Sequence, residues 1–139
     1  MQIESRLIRI IADGNVYEKK DLLQHFNSEK ELNKTINNIK SYGLDLIKID
    51  NRYQLENSIE FLSESKIIGH LSELGCADNF FISVKDIVES TSREFDPSDI
   101  STKEIKVSLA EYQTSGRGRQ HRTWISPLAS GVCLSVYQE

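Results

Sequence analysis

A glycine- and arginine-rich segment near the C-terminus holds the residues whose types best suit chemistry. It spans residues 113–124, QTSGRGRQHRTW. Gly116 and Gly118 let the backbone approach a ligand closely and expose its N–H groups. Arg117 and Arg119 supply forked donors for phosphate or carboxylate. The segment therefore predicts a loop that binds an anion.

Trp124, the only tryptophan of the chain, ends this loop and can stack on a planar group. The loop lacks the Lys-Ser/Thr ending of a P-loop, which excludes that motif. RNA binding by an Arg-Gly-type segment remains a second interpretation. The loop lies between two strand-like sequences rather than in a low-complexity tail, and this favours a small-ligand site.

Stretches with alternating apolar residues flank the loop and predict the strands that position it. They span Ile105–Tyr112 and residues 132–137. The short apolar run Phe80–Val84 predicts a buried third strand. A helix that ends near Gly75 is predicted before it. The apolar residues expected on one side of that helix are Ile67, Ile68, Leu71 and Leu74.

Three consecutive hydroxyl side chains, Ser90, Thr91 and Ser92, follow the Phe80 run. Thr91 and Glu94 have the spacing of a capping box, so helix capping is one interpretation. The alternative is that hydroxyl and N–H groups at this turn hydrogen-bond a small polar ligand.

The first third of the chain has the pattern of three short helices and a hairpin. Apolar spacing predicts helices over 3–13, 18–25 and 29–42. Leu46–Ile49 and Tyr53–Leu55 flank turn residues and predict the hairpin. This order is that of a winged helix-turn-helix domain. A polar linker over 56–65 follows it.

Local signals place the ends of these helices. Ser28 and Glu31 have capping-box spacing at the start of the third helix. Gly14 and Gly43 stand where a helix ends in a residue with positive φ.

The third helix is expected to expose a polar face that suits a DNA major groove, because amides read adenine edges and lysines neutralise phosphates. The residues expected on this face are Asn33, Lys34, Thr35, Asn37, Asn38, Lys40 and Ser41. Lys48 and Arg52 on the hairpin are predicted backbone contacts. Glu29 and Glu31, at the start of the helix, are expected to repel phosphate.

The charge pattern is uneven around a net charge of −4. Residues 63–104 hold four basic and nine acidic side chains, whereas residues 105–139 hold four and two. The absence of a long apolar run or a signal peptide, together with two widely spaced cysteines, predicts a reduced cytoplasmic protein without a membrane span or bound metal.

Residues 110–136, AEYQTSGRGRQHRTWISPLASGVCLSV, closely resemble the signature of biotin–protein ligases, E-x-Q-x-x-G-R-G-R-x-G-R-x-W-x-S-P. Ser90-Thr91 resembles the S-T-N ligand-binding turn of that family. The first third of the chain is similar to the N-terminal domain of the bifunctional ligases that also repress biotin synthesis. The resemblance implies an α+β chain, with a winged helix-turn-helix domain at 1–62 and the start of a mixed α/β catalytic domain at 63–139.

The resemblance also implies an activity. Family members use ATP, with Mg²⁺, to convert biotin to biotinyl-AMP, which a lysine of the biotin carboxyl carrier protein then attacks. The bifunctional members form homodimers and bind operator DNA. A DNA-binding regulator without ligase activity is the alternative function.

The residues that match the biotin and adenylate site of the family are Ser90, Thr91, Ser92, Gln113, Gly116, Arg117, Gly118, Arg119 and Trp124. Arg117 and Arg119 are the expected catalytic cations, since a pentavalent phosphate requires positive charge. The predicted DNA contacts are Asn33, Lys34, Asn37, Asn38, Lys40, Lys48 and Arg52.

The sequence departs from the family pattern at three places that concern the ligand site. Ser92 replaces the usual Asn, and His121 replaces a Gly within the loop. Residues 1–139 do not contain the K-W-P-N-D segment, whose lysine contacts the ligand. Three strands and one helix are too few to cover a sheet, so Val132, Leu134 and Val136 are expected to be exposed. We therefore expect these residues to be part of a larger ligase, inactive in turnover alone.

Overall fold

The computed structural model describes residues 2–96, 104–118, 120 and 122–138. The chain forms two compact units, one ending at Glu60 and the other beginning at Phe61. Each unit combines helices with a three-stranded sheet, so the predicted mixture of α and β structure is confirmed. No helix in the described ranges is long and apolar enough to cross a membrane.

The first unit contains three helices, α1 (Ile3–Ile11), α2 (Lys19–Leu23) and α3 (Glu29–Ser41). Gly14 and Gly43 follow α1 and α3 with φ of 73° and 89°, a conformation that glycine adopts without steric cost. The predicted glycine stops are therefore confirmed.

Half of the predicted capping box at the start of α3 is present. The Glu31 N–H donates to Ser28 Oγ at 3.2 Å. The Glu31 carboxylate, however, accepts from the Asn27 N–H at 2.8 Å and not from the Ser28 N–H. The cap therefore satisfies one helix N–H and also ties the preceding residue to the helix.

The sheet of the first unit has the order β1-β3-β2, with every pair antiparallel. Its strands are β1 (Tyr17–Glu18), β2 (Leu46–Ile49) and β3 (Arg52–Leu55). The predicted hairpin is confirmed as β2 and β3, and Asp50 adopts φ 52° in its turn. Strand β1 has only two residues, too few to show a sequence pattern.

A closed apolar core holds this unit together. Its fully buried apolar side chains are Leu7, Ile8, Ile11, Leu22, Leu32, Ile39 and Leu55. Thr35 is also buried, and its hydroxyl donates to the Glu31 carbonyl oxygen at 2.9 Å. The prediction that Thr35 lies on the exposed face of α3 is wrong, because a backbone carbonyl on the same helix satisfies this hydroxyl.

The second unit contains α4 (Glu64–Glu73) and three strands, β4 (Phe80–Val88), β5 (Ile105–Gln113) and β6 (Cys133–Tyr137). The sheet order is β4-β5-β6; β4 runs parallel to β5, and β6 runs antiparallel to it. Strand β4 extends to Val88, beyond the predicted end at Val84. The parallel pairing places the carboxyl ends of β4 and β5 at the same edge.

Helix α4 covers one face of this sheet only in part. Ile82, Val107 and Leu109 are buried there against Ile67 and Leu71. Leu134 and Val136 are register partners of Leu109 and Val107, so they lie on the same face. They are nevertheless 53% and 56% exposed, and Val132 is 59% exposed, as predicted.

Two residues predicted on the packing side of α4 lie elsewhere. Ile68 and Leu74 are exposed, and only Ile67 and Leu71 reach the sheet. A helix on a flat sheet buries a narrow stripe, and residues beside that stripe face outward.

Candidate functional site

A pocket of about 250 Å³ lies at the carboxyl ends of β4 and β5. Strand β4 leads into the hydroxyl-rich turn, and β5 leads into the glycine- and arginine-rich loop. The lining residues are Ser90, Thr91, Ser92, Gln113, Arg117, Trp124, Val132, Cys133, Leu134 and Ser135. The first six are predicted ligand residues, and the fold thus brings together two predicted segments that are more than twenty residues apart in the sequence.

Thr91 and Gln113 form the polar centre of this pocket. The Thr91 N–H donates to Gln113 Oε1 at 2.8 Å, and the Thr91 hydroxyl donates to the same oxygen at 3.2 Å. Thr91 is 3% exposed. The amide of Gln113 is therefore fixed with its oxygen toward the turn, and its NH₂ group lies on the other side.

The turn at residues 91–93 is a single 3₁₀ turn without a side-chain cap. The capping box predicted for Thr91 and Glu94 is therefore wrong. The carboxylate of Glu94 forms an ion pair with Lys85 instead, and the Thr91 hydroxyl faces Gln113. Ser90 and Ser92 are hydrogen-bonded to each other, with 3.0 Å between their hydroxyl oxygens.

The loop after β5 folds back on itself through backbone hydrogen bonds. The Trp124 N–H donates to the Gly116 carbonyl oxygen at 2.9 Å, and the Gly118 N–H donates to that of Arg122 at 2.7 Å. A Cβ at Gly116 would lie 2.8 Å from the Trp124 carbonyl oxygen, whereas one at Gly118 would make only ordinary contacts. Glycine is thus sterically required at position 116.

Arg117 is the only charged side chain among the described residues that line the pocket. It also lines a second surface cavity of about 440 Å³ with Arg122, which was not predicted as a site residue. Trp124 is 57% exposed beside the pocket. Arg119, a predicted catalytic residue, and His121 lie outside the described residues.

Four lining residues, Val132, Cys133, Leu134 and Ser135, were not predicted. The alternation along β6 contains the signal, because it places Cys133 and Ser135 together on the face opposite Leu134. Burial raises the pKa of the Cys133 thiol; a hydrogen bond with the Gln113 side chain partly offsets this, and the Glu111 charge adds to it. The pocket therefore holds a protonated thiol at neutral pH.

The predicted DNA contacts divide into two groups. Asn33, Lys34, Asn37 and Lys40 are exposed along α3. Asn38 is half-buried, and its amide donates to Glu4 Oε1 at 2.8 Å. Asn38 therefore helps to hold α3 against α1.

The predicted cations on the hairpin both have neighbours within the unit. Lys48 Nζ lies 5.8 Å from the ring centre of Tyr53, and Arg52 Nε lies 3.3 Å from Glu18 Oε1. Both side chains remain exposed.

Glu29, expected to repel phosphate, forms an ion pair with Lys19. The hydrogen bond from Lys19 is the main cause that lowers the pKa of the Glu29 carboxyl, and the charge of Lys19 contributes further. The repulsion expected from Glu29 is thus partly neutralised within the unit.

Comparison with known proteins shows that this chain is similar to proteins that combine a ligase with a repressor. Over 134 residues the chain is 28% identical to "Bifunctional ligase/repressor BirA" of Escherichia coli strain K12. It is also 28% identical, over 133 residues, to the protein of the same name from Salmonella typhimurium strain LT2. These matches cover 95% and 94% of the chain.

The chain spans 40% of the length of each of these relatives. No protein-family model matches it. The two relatives nevertheless confirm the inferred resemblance to bifunctional ligase/repressor proteins, along nearly the whole of this chain.

Proposed function

We propose that this chain is part of a biotin–protein ligase that also represses transcription. Residues 1–62 serve as a winged helix-turn-helix DNA-binding domain, and residues 63–139 provide the biotin-binding part of the catalytic domain. The observation that carries this proposal is the single pocket that contains Ser90, Thr91, Ser92, Gln113, Arg117 and Trp124. These residues match the ligand positions of the ligase family, and the similarity to BirA supports the same assignment.

The chemistry of the pocket suits biotin and its adenylate. Hydroxyl and amide groups of Thr91 and Gln113 hydrogen-bond the polar head of biotin, and Trp124 covers the bound molecule. Arg117 lies beside the carboxylate that ATP activates, where it stabilises negative charge. Closure of the loop excludes water from the mixed anhydride biotinyl-AMP before a lysine of the carrier protein attacks it.

Mg²⁺ enters this proposal only with ATP. Among the described residues, no group of three His, Cys, Asp or Glu side chains is placed to bind a metal ion. We propose that arginines and backbone N–H groups of the loop position the nucleotide. Arg122, which lines the cavity next to Arg117, is an additional candidate for the ATP phosphates.

For DNA binding, α3 enters the major groove with its exposed amides and lysines, and the β2–β3 hairpin contacts the phosphate backbone. The amides of Asn33 and Asn37 lie one helical turn apart on the same exposed face. The ion pair of Lys19 and Glu29 reduces the negative charge at the start of the helix. Dimerisation of the ligase places two such helices on two half-sites.

The fluorescence of Trp124 tests biotin binding directly, because it is the only tryptophan and it lines the pocket. We expect addition of biotin, or of a non-hydrolysable biotinyl-AMP analogue, to shift its emission. Arg117→Ala is expected to weaken binding of the analogue about tenfold or more, while biotin is affected less, since a charge-assisted hydrogen bond to the phosphate is lost. Arg93→Ala is the matched control, because Arg93 pairs with Glu89 outside the pocket.

A labelled duplex from the control region of the biotin-synthesis operon tests the repressor function. Lys34→Ala is expected to weaken binding and to lower the salt slope by about one, whereas Lys20→Ala, at an exposed position of α2, is expected to change neither. DNA binding without any response of Trp124 to biotin or the analogue would favour the alternative, a DNA-binding regulator without ligase activity.

A further inference from the structure

Every polar backbone and side-chain atom of Thr91 has a hydrogen-bond partner within the second unit. Its N–H and hydroxyl face Gln113 Oε1, its hydroxyl oxygen lies 2.8 Å from Ser135 Oγ, and its carbonyl oxygen accepts from the Tyr137 hydroxyl. Two of these four contacts come from β6, a strand far from Thr91 in the sequence.

Only one arrangement makes both hydroxyl contacts hydrogen bonds. In it the Thr91 hydroxyl donates to Gln113 Oε1, which can only accept. Thr91 has no second hydroxyl proton, and its contact with Ser135 is therefore a hydrogen bond only if Ser135 donates. In this relay from Ser135 through Thr91 to Gln113 both hydroxyl protons are used within the unit, so each hydroxyl can offer a ligand only a hydrogen-bond acceptor.

Tyr137 also holds the turn that contains Thr91. Its ring makes an edge contact with Phe95, with ring centres 5.1 Å apart, and Phe95 makes another with Phe81 at 5.8 Å. Burial raises the pKa of the Tyr137 hydroxyl, which keeps it protonated as a donor to Thr91 at neutral pH. The segment from Thr91 to Phe95 is thus anchored on the sheet at both of its ends.

We propose that Ser135 and Tyr137 are positioning residues that fix Thr91 in the pocket, with its hydroxyl preset as a hydrogen-bond acceptor for the ligand. The role rests on the proposed biotin site. This positioning makes the affinity for biotin depend on two side chains of β6. One of them, Tyr137, does not line the pocket. A fixed acceptor selects a ligand that presents an N–H group, because no reorientation of the pocket is needed on binding.

Biotin titration of the full chain, followed by Trp124 emission, tests this role. Ser135→Ala and Tyr137→Phe are each expected to weaken biotin binding about tenfold, the size expected for one hydrogen bond. Ser135→Thr, which keeps the hydroxyl, is expected to restore the affinity. Ser72→Ala is the control, since the Ser72 hydroxyl donates within α4 to Ile68.

Hydrogen exchange at the Thr91 N–H gives a second readout that needs no ligand. Ser135→Ala and Tyr137→Phe are expected to speed this exchange about tenfold, and Ser135→Thr to leave it unchanged. Unchanged biotin affinity and unchanged exchange in both variants would overturn the proposal. Faster exchange in a chain that binds no biotin would reject the proposed function but retain the positioning of Thr91.

Discussion

The two units of this chain use their side chains in contrasting ways. The first unit buries seven large apolar side chains almost completely, although Val16, Ile47 and Ile49 on its surface are exposed. The second unit buries fewer, leaves an apolar strip on β6 exposed, and places its polar side chains around a pocket. The difference predicts that core packing contributes more to the stability of the first unit, and that hydrogen bonds at the candidate site contribute more to the order of the second.

Truncation of one leucine in each unit tests this contrast most strongly. Leu32→Ala, at a fully buried position of α3, is expected to destabilise the first unit by about 2–5 kcal/mol, because it leaves a cavity. Leu134→Ala, at a half-exposed position of β6, is expected to cost about 1 kcal/mol or less. Urea unfolding followed by far-ultraviolet circular dichroism measures the first effect, and Trp124 fluorescence measures the second. Equal losses would contradict the contrast.

A glycine pair tests whether the site of the second unit depends on close packing of its loop. Gly116→Ala brings a Cβ to 2.8 Å from a backbone oxygen, and we expect it to cost about 1–3 kcal/mol and to abolish the response of Trp124 to biotin. Gly118→Ala meets only ordinary contacts and serves as the control. A Gly116→Ala variant that binds biotin normally would show that the loop can open without loss of the site.

The sequence predicts the elements of both units better than it predicts their contacts. The helices, the hairpin and the three strands of the second unit follow from periodicity and glycine stops. The buried hydroxyl of Thr35 and the outward position of Ile68 do not, because neighbouring elements decide which residues at the edge of a helix stripe are covered.

The site shows the same limit. The family signature identifies Gln113 and Thr91, but nothing in their spacing indicates that they hydrogen-bond each other. The alternation along β6 places Ser135 and Cys133 on one face, but they were missed because a hydroxyl and a thiol at this spacing do not by themselves indicate a site. They become lining residues only because β6 pairs with β5 beside the loop.

Each unit has a helix that is capped by a serine, and replacement of these serines tests helix stability separately from core packing. Ser28 accepts from the Glu31 N–H at 3.2 Å at the start of α3, and Ser63 accepts from the Lys66 N–H at 3.3 Å at the start of α4. Ser28→Ala and Ser63→Ala are each expected to cost about 1 kcal/mol. Similar losses of stability in the two variants would show that the units differ in their cores and not in their helix caps. A much larger loss at Ser63 would show that α4 is held mainly by its cap.

The smallest expected effect concerns the charge at the start of α3. The Glu29 carboxyl has a lowered pKa in the folded chain because Lys19 donates to it. Its contribution to stability is therefore present above the ordinary pKa of glutamate and is lost as the pH falls through the lowered value. Glu29→Gln is expected to flatten the acid side of the stability profile of the first unit slightly, since the pair is exposed to solvent.

Operator binding adds a second readout for this ion pair. Removal of the Glu29 charge leaves Lys19 free to interact with phosphate, so Glu29→Gln is expected to tighten DNA binding modestly and to steepen its salt dependence. Lys19→Gln is the matched opposite change and is expected to weaken DNA binding. If both variants bind DNA like the unaltered chain, the start of α3 lies away from the phosphates. DNA recognition would then depend on the middle of the helix, where Asn33 and Asn37 are exposed.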